Sequence, residues 1–493
     1  MARHAIGLLV AALGVWQAGC DGGRGEHRAV RRDSGVVERD AGFDAGPEAA
    51  PDAAAIRGET PRWPEAEQEV ELPYHGSPAS VLLVVSAQPG AMDLHLNVDT
   101  TSSMRDAIDE LQSALRLNVI NRLRARVADV AFGVSGYADF PFSPFGNPGM
   151  VGESEPDRPF VLHSPITTNV DRVIAAVNKL DQPLGFGGDP SEASAEALYQ
   201  VATGAGYVVG TQRLIERGPT RAAVGGGTLG GVGFREYALR VVLHVADSPA
   251  HTPKEYADQG VLQGTHSLSD ASKALAKLGA RVVSIHPTGC EDATCMTEFS
   301  YRAARIELER LALETSASFG TTHGACPTGI AQILLPAVED RCPLVYDVRY
   351  DGTGLSRTIA DGVIALLEEV RFGEVHADTS TDRLGFVRDV RTEPVEQPSG
   401  VQTPMAADRL PAGAPDAVFE SYLNVDRRSQ LGFRVTLQNL HIAPRDVAQR
   451  YRVAIRIIGD SVLLEERFLR IVVPARAPGA PDPAFVDDLD GGP

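Results

Sequence analysis

From Met92 onward the chain alternates buried strands with amphipathic helices, and that rhythm narrows the fold more than any other feature. Met92, Leu94, Leu96 and Val98 alternate with Asp93, His95 and Asn97, the period-two pattern of a strand. Ile108, Leu111, Leu115, Val119 and Leu123 then recur at three- to four-residue spacing, which gives the helix at 104–126 one buried face. Strands are expected at 130–137, 239–246, 280–285 and 345–349. Helices are expected at 170–180, 192–201, 269–278, 302–314 and 355–367. The run 239–246 is apolar almost throughout, as in a parallel strand covered on both faces. Alternating β and α units predict a doubly wound, mostly parallel α/β sheet with helices on both sides.

Outside 91–370 the pattern changes. Segments 62–90 and 371–475 carry strand signals without helical ones, at 70–72, 81–85, 419–423, 431–437, 451–458 and 468–473. They read either as one β-sandwich interrupted by the α/β layer, or as a C-terminal immunoglobulin-like unit with 62–90 packed elsewhere. Glycines crowd 204–236, including Gly225-Gly226-Gly227 and Gly230-Gly231, so a mobile loop is expected there.

The N-terminus reads as an export signal. Arg3 and His4 precede an apolar stretch, and Gln17-Ala18-Gly19 leads to Cys20. This resembles a bacterial lipoprotein signal peptide over 1–19, which implies lipidation of Cys20. It departs from that signal at Gln17, where Leu is usual. Segment 20–61, rich in Asp, Ala, Gly and Pro, reads as a disordered tether, and 476–493 as a disordered tail. No run of about 18 apolar residues follows, so membrane attachment is expected through the lipid alone. With Cys20 set aside, Cys290, Cys295, Cys326 and Cys342 remain, and an even number in an exported chain predicts disulfides. Sequence leaves all three connectivities open. Asp+Glu total 65 against Lys+Arg 46, for a net charge of -19. Such a surface repels nucleic acid and anionic lipid.

Three segments place oxygen ligands after predicted strands, at the edge where open α/β sheets bind ligands. Asp99-Thr100-Thr101-Ser102-Ser103 follows the first strand. Gly187-Gly188-Asp189-Pro190-Ser191-Glu192 opens a helix, and Asp247-Ser248-Pro249 follows the apolar strand. A carboxylate and two hydroxyls at alternate loop positions suit a hard divalent cation, although Asp and Ser after a strand are more often plain helix caps. The histidines His244, His251 and His286 lie near strand ends and read as structural. Nucleophile-elbow, P-loop and His-Glu-x-x-His motifs are all lacking, so no enzyme is expected.

Strand, Asp-x-Thr-x-Ser-Met, then helix resembles the first loop of von Willebrand factor A domains with a metal-ion-dependent adhesion site. The resemblance implies Asp99, Thr101 and Ser103 as first-loop ligands and Asp247 as the third-loop carboxylate. Asp189-Pro190-Ser191-Glu192 is similar to the second loop of the integrin β I-like domain, which implies Glu192 as a direct ligand. It further implies flanking cations, one at Asp139 and Asp189 and another near Asp106, whose usual acidic neighbour is here Ala107. The implied cofactors are Mg²⁺ or Mn²⁺ at the main site and Ca²⁺ at a flanking one. The implied role is an adhesion module, lipid-anchored in the bacterial cell envelope at the outer membrane or cell surface, that engages a protein carboxylate through the metal. A structural envelope protein with a stabilising or vestigial site is the alternative, and a metal-dependent hydrolase a more distant one.

Overall fold

Two short apolar alternations form the first described strands, β1 (Gln68–Glu71) and β2 (Ala79–Ser86). The computed structural model describes residues 68–150, 155–260, 262–288, 299–321, 323–408 and 419–479. The expected signal peptide, Cys20, the tether, Cys290, Cys295 and the last part of the tail, 480–493, lie outside them. Among the described residues no helix is long and apolar enough to cross a membrane.

The α/β rhythm begins with β3 (Ala91–Asp99), every residue of which is buried. It continues through α1 (Arg105–Ala114), a π-helical stretch at Leu115–Ile120, α2 (Asn121–Arg124) and β4 (Asp129–Tyr137). After β5 (Val161–Thr167) comes α3 (Val170–Val177), whose N-terminal amides are capped by the Asn169 side chain. Next are α4 (Ser194–Thr203), the small hairpin β6 (Tyr207–Val209) and β7 (Gln212–Ile215), then β8 (Leu239–Val245). Helices α5 (Pro253–Asp258) and α6 (Leu268–Lys277) both start in capping boxes. They lead to β9 (Ala280–Thr288) and α7 (Phe299–Glu314). Four short strands follow, β10 (Ser318–Gly320), β11 (Ala325–Cys326), β12 (Leu335–Pro336) and β13 (Arg341–Pro343). The layer closes with β14 (Val345–Arg349) and α8 (Leu355–Glu369).

Six of these strands form one sheet in the order β14-β9-β8-β3-β4-β5, and β6-β7, β10-β13 and β11-β12 form separate two-stranded sheets. The six-stranded sheet is parallel except for β5, which runs antiparallel to β4. Alternate strand residues enter two apolar cores. Leu94, Leu96, Val241 and Val283 pack with α1, α3 and α8 on one face. Ala131, Val242 and Val282 pack with α4 and α6 on the other. The sheet is thus doubly wound, as the periodicity implies.

The remaining strands are β15 (Arg371–Asp378), β16 (Val387–Glu393), β17 (Met405–Asp408), β18 (Phe419–Asp426), β19 (Gln430–Leu437), β20 (Gln449–Gly459) and β21 (Val462–Val473). They build two sheets, β1-β21-β20-β15-β18-β17 and β16-β19-β2. β1 lies parallel to β21, and β2 antiparallel to β19. Strands from both sides of the α/β layer therefore share sheets, and the first apolar core runs without a break from Leu94 to Phe433 and Ile455.

Two sequence readings need revision or completion. The glycine-rich stretch is not there for mobility: a Cβ on Gly226 would lie 2.1 Å from the Ile166 carbonyl oxygen, and one on Gly231 1.9 Å from that of Gln200. Close backbone approach is what requires glycine. The polar residues on β3 form a network across three strands. The Ser135 hydroxyl donates to Asn97 Oδ1 at 2.8 Å, so His95 Nε2, also at 2.8 Å, donates to Ser135. Asn97 Nδ2 reaches His244 Nδ1 at 3.2 Å. Burial holds His95 near 3 and His244 near 4, so both rings are neutral. His244 is a hydrogen-bonded core histidine, and His286 is paired with Asp347 at 3.1 Å. One disulfide is present among the described residues, Cys326–Cys342, with Cα atoms 5.4 Å apart; it ties the β11 strand to β13.

Candidate metal centre

β3 delivers Asp99 to the carboxyl edge of the sheet, and the chain then turns tightly around that carboxylate. The Thr101 amide and hydroxyl both donate to Asp99 Oδ1, at 2.8 and 2.7 Å. Ser103 Oγ lies 3.1 Å from Thr101 Oγ1, so the two hydroxyls stand side by side. Asp99 is fully buried, and its Oδ2 has no hydrogen-bond partner.

The second loop is stitched to the first and the third by backbone. Gly185 N–H donates to the Thr100 carbonyl at 2.8 Å. Glu192 N–H donates to Pro249 O, and His251 N–H to Glu192 O, both at 3.0 Å. These bonds place Glu192 before the first turn of α4, beside the loop that follows β8. Gly187 has φ +68, and a Cβ there would lie 2.9 Å from Glu192 Oε1, so glycine makes room for the carboxylate. Glu192 is 5% exposed, and its Oε2 also has no partner. The third loop brings Asp247, whose Oδ1 accepts from Ser248 Oγ at 2.8 Å and whose Oδ2 accepts from Tyr350 OH at 3.3 Å.

Electrostatics ties the three loops together. Burial lifts the Asp99 carboxyl well above its ordinary value, and the charge of Asp247 raises it further against the Thr101 hydrogen bonds. Burial pushes Glu192 up to about 11, reinforced by Asp99, Asp139 and Asp247. Tyr137 follows the same logic: burial, then Asp99, Asp247 and Glu192, raise its phenol well above the usual range. Its OH is also buried without a partner. Carboxylates buried within electrostatic reach of one another repel unless a cation or protons intervene. Unpartnered buried oxygens require an explanation, and a hard divalent cation ligated by carboxylate and hydroxyl oxygen supplies one. Among the described residues the carboxylates of Asp99, Glu192 and Asp247 do not all lie within 4.8 Å of one another, so the fit of Asp99, Thr101, Ser103, Glu192 and Asp247 to such an ion rests on their donor chemistry and on the oxygens left unsatisfied.

Of the flanking residues, Asp139 and Asp189 come together, and Asp106 does not. Asp106 is exposed on the first turn of α1 and joins no cluster among the described residues. Asp139 and Asp189 meet at His251, whose Nε2 lies 3.1 Å from Asp139 Oδ2 and 2.9 Å from Asp189 Oδ1. Burial opposes charge on the His251 ring, but the two carboxylates outweigh it and raise it to about 9. His251 is therefore part of the acidic nest, where sequence alone favours a plain structural histidine.

Three further residues carry no sequence signal of their own. Tyr137, the last residue of β4, is near enough to Asp99, Asp247 and Glu192 for their charges to raise its phenol. Tyr350, in the loop before α8, is half exposed and bonds to both Asp247 and Ser103. Asp157 fixes the second loop by accepting from Phe186 N, Gly187 N and Asn147 N at 2.8, 3.0 and 2.7 Å.

No protein-family model matches the chain. No curated protein sequence matches it either. Similar solved structures include a von Willebrand factor type A protein from Catenulispora acidiphila, 11% identical, with 82% of this chain and 75% of that chain covered and a TM-score of 0.31. Another is the pilus adhesin SpaC from Lactobacillus rhamnosus GG in its open conformation, 9% identical, with 83% and 46% covered and a TM-score of 0.33. A second form of SpaC gives 9%, 82%, 47% and 0.30. The chain spans about half the length of that adhesin. Likeness at this level says nothing about function, which rests on the residues of the site. The fold is a doubly wound, mostly parallel α/β sheet with additional β-sheets.

Proposed function

We propose that this chain is a cell-envelope adhesion or recognition module. In this reading a divalent cation, Mg²⁺ or Mn²⁺, is held by Asp99, Thr101, Ser103, Glu192 and Asp247 and offered to a carboxylate on a partner protein. The observation that carries the reading is the pair of buried, unpartnered carboxylate oxygens, Asp99 Oδ2 and Glu192 Oε2. A hard divalent cation of six-fold coordination held by five protein oxygens keeps one position for an oxygen from outside. Binding rather than turnover is the proposed role, with attachment to the envelope through a lipid on Cys20.

Titration calorimetry with Mn²⁺ tests the ligand set: the parent binds, and Asp99→Ala does not. Adhesion of beads coated with the protein to a surface bearing an aspartate-containing peptide, with and without chelator, tests the role. Mn²⁺ binding that survives in Asp99→Ala overturns the metal site. Adhesion that ignores chelator, with Mn²⁺ binding intact, overturns the role alone and favours a stabilising site.

A further inference from the structure

We propose that the outer edge of β2 is an interface for a second copy of this chain, the two β2 strands pairing antiparallel about a two-fold axis at Leu83. β2 ends the sheet β16-β19-β2, and among the described residues nothing pairs with its outer side. Register shows which backbone groups face that side. Ala87 N–H donates to the Ser429 carbonyl, and the ladder to β19 runs from Ser86 back to Ala79 without a shift. Hydrogen-bonded pairs alternate in an antiparallel ladder, so Ala79, Val81, Leu83 and Val85 bond to β19. The amides and carbonyls of Ser80, Leu82, Val84 and Ser86 point the other way, to the open edge.

Folded chains ordinarily blunt an open edge with charge, proline or a bulge. The other five edges of the three larger sheets are blunted. β1 carries Glu69 and Glu71, β14 carries Asp347 and Arg349, and β16 carries Arg388, Asp389, Arg391 and Glu393. β17 ends in Asp408 at a bulge, and β5 holds Pro165 within a register shift. β2 is the longest of the six, at 8 residues, and has none of these devices. Its outward face instead presents Leu82 and Val84, 37% and 44% exposed.

The sequence of β2 selects the occupant. Antiparallel pairing about a two-fold axis sets each residue against its mirror position in the copy, so it requires a strand that reads alike in both directions. Ser80-Val81-Leu82-Leu83-Val84-Val85-Ser86 does so about Leu83. Ser80 meets Ser86, Val81 meets Val85, Leu82 meets Val84, and Leu83 meets its own counterpart. Backbone register makes the same demand independently. In this alignment the hydrogen-bonded pairs are Ser80 with Ser86 and Leu82 with Val84, the four residues whose backbone faces the open edge. A slip of one residue would set those groups against groups turned towards β19, and no ladder would form.

Charge restricts where copies can meet. The net charge of -19 drives them apart over most of the surface, whereas β2 brings together two strands without a charged residue. Leu82 and Val84 leave water against each other across the axis. The product is one continuous six-stranded sheet, β16-β19-β2 of one copy joined to β2-β19-β16 of the other. An edge of this length buries less than a standard protein interface, so the dimer forms in a concentration-dependent equilibrium.

Sedimentation velocity of the full-length chain over a concentration series should show monomer and dimer in exchange. Hydrogen exchange at the amides of Leu82 and Val84 should slow as the dimer forms. Leu82→Glu and Val84→Lys both lie on the exposed face, and each should weaken association roughly tenfold or more. Mixing the two variants should restore association as a heterodimer, because the register sets the introduced glutamate of one copy against the introduced lysine of the other and keeps the second pair native. A chain that stays monomeric at every concentration overturns the proposal; slow exchange at Leu82 and Val84 in that monomer would place a segment of the same chain on the edge instead. A dimer that neither change weakens lies on another surface and overturns it as well, as does a mixture of the two variants that associates no better than either alone.

Discussion

The Tyr350 phenol donates to Asp247 Oδ2 at 3.3 Å, so the loop that leads into α8 rests on the third-loop carboxylate of the candidate metal centre. The same hydroxyl bonds Ser103. A partner's carboxylate reaching the cation has to compete with this phenol. Tyr350→Phe should raise affinity for Mn²⁺ or for an acidic peptide several-fold, mainly through faster association in stopped-flow mixing. Unchanged kinetics would show that Tyr350 does not cover the site.

Asp99→Asn removes one charge from a buried group of mutually repelling carboxylates. Without metal, the variant should melt above the parent. With Mg²⁺ the order should reverse, because the parent gains about 2.7 kcal/mol when the ion is present at 100 times its dissociation constant and the variant gains little. Differential scanning calorimetry with chelator and with Mg²⁺ reads both effects; a variant that responds to Mg²⁺ as the parent does would remove Asp99 from the ligand set.

Glu192 gives the pH dependence a definite sign. Its folded value of about 11 lies above the ordinary 4.5, so its contribution to stability is full below pH 4.5 and is lost as pH rises towards 11. In chelator, the urea midpoint of the parent should fall from pH 5 to pH 9 relative to Glu192→Gln, and saturating Mn²⁺ should flatten the difference. A parallel pair of curves in chelator would contradict the burial of this carboxylate.

Ser135→Ala tests the polar network in the sheet. Loss of the hydroxyl leaves Asn97 Oδ1 and His95 Nε2 without their shared partner in a buried position. Each orphaned group costs roughly 1–3 kcal/mol. The melting temperature should drop while Mn²⁺ affinity stays at the parental value. A variant as stable as the parent would mean the network relaxes around the gap.

Much of the α/β layer is legible in the sequence because buried parallel strands and amphipathic helices have distinct periods. β3, β4, β8 and α6 fall within a residue or two of their expected ranges. The candidate first-loop residues are legible for the same reason: Asp99 is the last residue of an unmistakable strand. β15, β16 and β17 are not, because charged and glycine residues such as Gly373, Arg388 and Asp389 break the alternation of half-exposed strands. His251 is misread because its partners, Asp139 and Asp189, reach it only through the tertiary fold. Tyr350 and Tyr137 carry no motif; only the crossing of β14 and β4 to the same sheet edge shows what they touch.

The pairing of Gln68 with Leu469 and of Val85 with Leu431 also governs how the molecule can be assembled. Synthesis delivers β1 and β2 before the α/β layer and their partners after it. The segment from β3 to α8 holds its own sheet and can collapse as soon as it emerges, while β1 and β2 wait for β21 and β19. Ending translation anywhere before Val462 deprives β1 of its neighbour and β20 of its hairpin partner. β19 and β21 thereby act as fasteners for the two strands that precede the α/β layer.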